Sequence, residues 1–108
     1  MNDILKDVDY LKELIKDSKE YKEYKEIENK LDDNKEINEI VNSIKSLQKS
    51  IVSKKNNNSD DEEKLQELFD LLNSYPLYNE YIKKSKELNI LLTKIQKRFE
   101  EEFNEILV

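Results

Sequence analysis

The stretch Asn73–Leu107, NSYPLYNEYIKKSKELNILLTKIQKRFEEEFNEIL, decides the fold. It holds the chain's one proline, Pro76, and from there carries apolar residues at helical spacing almost to the last residue. Proline suits the first position of a helix, where its missing N–H has no intrahelical partner to lose. A helix from Pro76 to Leu107 would be roughly 48 Å long at 1.5 Å per residue. A compact domain of this size is only about 25–30 Å across. So long a helix needs other long helices beside it, from this chain or from a second copy.

Composition agrees. Charged residues are 41% of the 108, apolar ones 36%, and the chain has no glycine, no alanine, no cysteine and no histidine. Few turn formers leave little material for hairpins, while Leu, Glu and Lys favour helices. The expectation is one all-α domain over residues 1–108. It is an antiparallel bundle of four to five helices with a long C-terminal helix, packing in a dimer or higher oligomer.

Working outward, Ile4, Leu5, Val8, Leu11, Leu14 and Ile15 share one helical face, and Asn2 or Asp3 can cap its start. Tyr21, Tyr24 and Leu31 extend that face beyond Asp17-Ser18. There the helix either restarts or kinks, and the capping box Asp17-x-x-Glu20 favours a restart. The pattern stops at Leu31-Asp32-Asp33-Asn34, and Asp33-x-x-Glu36 offers a second box. Ile37, Ile40, Val41, Ile44, Leu47, Ile51 and Val52 then step by three and four, a narrow seam suited to another helix. Ser53–Ser59, SKKNNNS, reads as a polar loop, and Ser59-x-x-Glu62 as a third box before Leu65, Leu68, Phe69, Leu71 and Leu72.

Shifting the chain by 57 residues lays Leu11, Leu14, Ile15, Tyr21, Tyr24 and Leu31 on Leu68, Leu71, Leu72, Tyr78, Tyr81 and Leu88. Each half reads as a helix, a break, a Tyr-x-x-Tyr and a second helix. Leucines on amphipathic helices also align by chance, so the match serves as a guide to layout.

The same composition excludes much chemistry. Without cysteine there are no disulfides, thiolate metal sites or thiol nucleophiles. Without histidine the commonest general base and metal ligand are missing, along with the Glu-x-x-His pairs of di-metal bundles. The glutamates, Glu100, Glu101, Glu102 and Glu105 among them, read as solvated faces paired with lysines at i+3 or i+4, such as Glu26 with Lys30 and Glu80 with Lys84. No enzyme activity, metal or cofactor is expected. No apolar run approaches a membrane span, and Met1-Asn2-Asp3 does not begin like a signal peptide. The net charge of −6 opposes direct nucleic-acid or anionic-lipid binding. These features suit a soluble cytoplasmic protein whose partners are proteins.

Two sets of residues are candidates for contact. Leu88, Leu92, Ile95, Phe99 and Phe103, with Ile40, Ile44 and Leu47 opposite, are expected to form a self-association seam. Tyr21, Tyr24, Tyr78 and Tyr81 suit a recognition patch, apolar in body and polar at the tip. The simpler reading is that these rings close the end of the bundle while their hydroxyls reach water. A basic stripe, Lys83, Lys84, Lys86, Lys94, Lys97 and Arg98, is the alternative surface, for direct contact with RNA.

The chain resembles the YlbF/YmcA family of small bacterial helical proteins, which includes YheA-like members. The carrying residues are Asp17–Tyr24 (DSKEYKEY), Leu31–Ile37 (LDDNKEI), Leu47-Gln48-Lys49 and Asn73–Tyr81 (NSYPLYNEY). The resemblance implies an all-helical, often dimeric protein without catalysis. It further implies a regulator of competence, sporulation and biofilm formation, acting with other regulatory proteins that influence mRNA processing by RNase Y. Some members hold iron–sulfur clusters through cysteines, a role that does not carry over to a chain with none. A YheA-like protein of unassigned pathway is the other reading within the family.

Overall fold

The structure, a computed structural model, describes residues 2–53 and 59–108. Five helices follow in order: α1 (Asn2–Lys16), α2 (Lys19–Asp32), α3 (Lys35–Ser53), α4 (Ser59–Asn73) and α5 (Pro76–Leu107). Among the described residues there is no strand. Of the expected loop Ser53–Ser59, Ser53 belongs to α3 and Ser59 to α4, while 54–58 lie outside the described residues, as do the side chains of the expected caps Asn2 and Ser59. The chain does restart at Asp17-Ser18, and α5 runs unbroken for 32 residues.

Three junctions, α1–α2, α2–α3 and α4–α5, share one construction of two linking residues. A helix usually ends on a left-handed residue, most often glycine. This chain has no glycine, and no described residue takes a positive φ. Instead, each helix closes on a tight i→i+3 bond that satisfies an end carbonyl. The N–H of Ser18 donates to Ile15 O, that of Asn34 to Leu31 O, and that of Tyr75 to Leu72 O, at 3.0, 2.9 and 3.2 Å.

Side chains complete the closure. The Ser18 and Ser74 hydroxyls donate to the carbonyls of Ile15 and Leu71. The Asn38 amide donates to Leu31 O and Asp32 O at 3.2 and 3.0 Å, and the Asn79 amide to Asn73 O at 2.8 Å. Asn38 and Asn79 each stand at the fourth position of the helix they belong to and reach back over the turn.

The caps sit one residue later than the expected boxes. Ser18 Oγ, not Asp17, accepts the N–H of Tyr21 (3.2 Å), and Asn34 Oδ1, not Asp33, accepts that of Ile37 (2.9 Å). The reason lies in the turn. Ser18 and Asn34 are already held by the tight bond to the preceding helix, which brings their side chains over the next one. The third helical residue is then Tyr21, Ile37 or Tyr78, in each case an inward-facing apolar or aromatic side chain rather than the glutamate of a box.

Contacts cluster into two compact units, Met1–Glu26 with Ile82–Val108, and Ile27–Tyr81. In the second, α3 packs on α4 around Leu31, Ile37, Ile40, Ile44 and Leu72, all buried. Ile37 is the most enclosed, at 2% exposure. Leu65, Leu68, Phe69, Leu77, Tyr78 and Tyr81 pack around this cluster. Leu31 and Leu72 are the residues whose carbonyls close two of the junctions, so turn and core are built from the same positions. The first turns of α5 are thus held within the chain.

The other unit has no buried residue on α1 or on the α5 portion past Ile82. Its Leu11, Ile15, Tyr21, Leu88, Leu91 and Ile95 are half-buried, and an ion pair adds to them. Lys84 Nζ lies 2.9 Å from Glu23 Oε2 and 3.5 Å from Glu87 Oε2.

Candidate interaction surfaces

The eight residues expected to form a seam divide between the units. Ile40 and Ile44 lie in the core of the second unit, at 8% and 6% exposure, where they pack against the chain itself. Leu47 is half-buried and lines a groove of about 730 Å³ between α3 and α4, with Ser43, Ser46, Leu68 and Leu71. The α5 members belong to the first unit. Leu88 and Ile95 are half-buried, while Leu92 and Phe99 are each 40% exposed and Phe103 56%. The Phe99 and Phe103 rings stack, with centroids 5.9 Å apart and planes 19° from parallel. That spacing follows from i,i+4 placement on one helix face.

The exposed apolar surface of this unit is wider than those five residues. Ile4, Leu5 and Val8 of α1 are 73%, 63% and 54% exposed, and Ile106 of α5 is 77% exposed. Val8, Leu11, Ile15 and Tyr21 line one groove of about 390 Å³ with Leu88 and Leu92. Isolated surface leucines are ordinary, whereas large contiguous apolar patches are rarer on monomers. The signal for α1 was legible in its periodicity. What periodicity could not show is that this face meets too little within the chain to be covered.

The tyrosines also divide. Tyr21 and Tyr24 are half-buried in the first unit. Tyr78 and Tyr81 stack at 6.3 Å and 27° and pack against the core of the second. Within the second unit, sequence reasoning missed Tyr75. Its hydroxyl donates to Glu36 Oε2 at 3.1 Å, pinning the α4–α5 turn to the first turn of α3. This bond to a carboxylate holds the Tyr75 phenol above its ordinary pKa, with desolvation and the Glu36 charge adding to the rise.

In the basic stripe, Lys84 and Arg98 are engaged with carboxylates. Lys84 is only 17% exposed at its side chain and holds Glu23 and Glu87. Its hydrogen bond to Glu23 raises its pKa, and the same bond lowers that of Glu23. Arg98 lies 2.9 Å from Glu102 and 3.9 Å from Glu101. Among the described residues no cluster of His, Cys, Asp or Glu is placed to hold a metal ion, and no helix is long and apolar enough to cross a membrane.

Among the described residues, helices are joined by tight polar turns and α5 keeps apolar side chains exposed. The sequence profile described as "Control of competence regulator ComK, YlbF/YmcA" matches residues 4–104. The chain belongs to the YlbF/YmcA family. That family is a regulatory one, and the match takes in all three two-residue junctions, the α3–α4 core and most of α5. No curated protein matches the chain.

Proposed function

We propose that this YlbF/YmcA family chain is a non-catalytic regulatory adaptor that works through protein–protein contacts and self-associates through its long helices. The observation that carries this reading is the open apolar face of α5, where Leu92, Phe99, Phe103 and Ile106 are all exposed. Burying apolar area is the main driving force of association, and a face of this kind is the natural place to do it. The family's regulatory character supports the same reading. Within that class we place the chain with regulators of competence, sporulation and biofilm formation that influence RNase Y-dependent mRNA processing, through other regulatory proteins in the cytoplasm.

Light scattering at micromolar concentration tests the self-association, and affinity capture from the native host tests the regulatory partners. A dimer or larger species that Phe99→Asp converts to a folded monomer supports the proposal. A strict monomer, unchanged by that substitution and fully folded, overturns it.

A further inference from the structure

The apolar residues in the far half of α5 have a symmetry of their own. Leu92 and Ile106 stand seven residues either side of Phe99, and Ile95 and Phe103 stand four either side. Seven residues are about two turns and four are just over one, so all five share a face centred on Phe99. Leu92 and Phe99 are 40% exposed, Phe103 56% and Ile106 77%. Charge reverses sign about the same residue, with Lys94, Lys97 and Arg98 before it and Glu100, Glu101, Glu102 and Glu105 after it.

We infer that a second copy of this chain lays its α5 antiparallel along this face, the two helices crossing at Phe99. This rests on the self-association proposed above and specifies its geometry. A two-fold axis at Phe99 sets Leu92 of one copy against Ile106 of the other, Ile95 against Phe103, and Phe99 against itself. Every apolar residue of the face then meets another apolar residue, which is the self-complementarity an isologous contact requires.

Charge selects the orientation. A parallel pair would gather four glutamates from each copy at one end, on top of two helix C-termini that are themselves partly negative. Glu102, beside the seam and part-buried, would then face its own copy. The antiparallel pair instead runs the basic half of each helix alongside the acidic half of the other and keeps the two acidic ends apart. Arg98, already turned toward Glu102 of its own helix, comes beside Glu102 of the other copy as well. The seam also continues past Leu92 into the groove lined by Val8, Leu11 and Ile15, so α1 widens the contact.

The chain has no cysteine, so a single introduced one is a unique spin-label site. Asn89→Cys and Gln96→Cys replace neutral, exposed residues outside the apolar set. In the antiparallel pair the two Asn89 labels are offset by about 30 Å along the axis and the two Gln96 labels by about 9 Å. Pulsed electron–electron resonance should therefore read a markedly longer distance at Asn89 than at Gln96. Equal short distances at both sites would mean a parallel pair and overturn the inference. A sample that scatters light as a dimer yet shows no coupling at Gln96 would move the interface off this face, leaving self-association intact. A monomer at every concentration would instead remove the self-association reading and this inference with it.

Discussion

The Lys84 ammonium sits 2.9 Å from the Glu23 carboxylate, joining α5 to α2 across 61 positions of chain. In a unit whose apolar side chains on α1 and α5 are at most half-buried, this ion pair adds a directed tie. A partly exposed pair contributes modestly, so its value here is in placing the helices more than in holding them.

The pH dependence of that tie follows from the two shifts. Glu23 is lowered from 4.5, so its contribution is complete above that value and is lost as pH falls through the lowered pKa. Lys84 is raised from 10.5, so its contribution is complete below that value and is lost as pH rises through the raised one. Glu23→Gln should melt a few degrees lower than the parent at neutral pH. The gap should close as the solution is taken well below pH 4.5, which circular dichroism can follow.

The cap positions carry opposite expectations for adjacent residues. Asn34→Ala removes the acceptor for the Ile37 N–H and should cost about 1 kcal/mol. Ser18→Ala removes the acceptor for the Tyr21 N–H and should cost a similar amount. Asp33→Ala and Asp17→Ala should change stability by less than about 0.5 kcal/mol, as exposed surface positions do. Urea unfolding of the four variants checks the assignment, and equal losses at Asp33 and Asn34 would refute it.

Core truncation should separate the two faces of α3. Ile37→Ala empties a site of 2% exposure beside Leu72 and should cost about 2–5 kcal/mol. Val52, at 86% exposure on the same helix, should tolerate alanine at near-zero cost. Denaturant midpoints of the two variants give the comparison.

Tyr75 reports on the turn it pins. Its hydroxyl bond to Glu36 keeps the phenol protonated to higher pH than an ordinary tyrosine. Glu36→Gln takes away the carboxylate acceptor, so the Tyr75 signal in an ultraviolet titration should move down toward the ordinary tyrosine range. An unchanged titration would mean that the bond is not made in solution.

Much of the layout was legible from particular residues. Pro76 marked the start of α5, the apolar steps from Ile37 to Ile51 marked α3, and Asp17-Ser18 and Asp33-Asn34 marked the breaks. Each of these is a local signal, set by dihedral preference or by which residues share a helix face. The caps came out one position late because a box motif scores the entering helix alone. The turn answers to the leaving helix too, through bonds such as Asn34 N–H to Leu31 O. Glu23 with Lys84 and Glu36 with Tyr75 were not legible, because pairs within one helix follow from spacing and pairs between helices do not.

The candidate contact residues divide along the same line. Periodicity put Ile40, Ile44, Leu92 and Phe99 on apolar faces alike. Only the tertiary structure decided that Ile40 and Ile44 are enclosed by α4 and its neighbours while Leu92 and Phe99 face outward. The sequence by itself determined an all-helical chain of this family, its breaks, its long last helix and the absence of histidine and cysteine chemistry. Burial depends on which faces meet, and periodicity along one helix does not fix that. Within its own unit, α5 past Ile82 keeps Leu92, Phe99, Phe103 and Ile106 exposed.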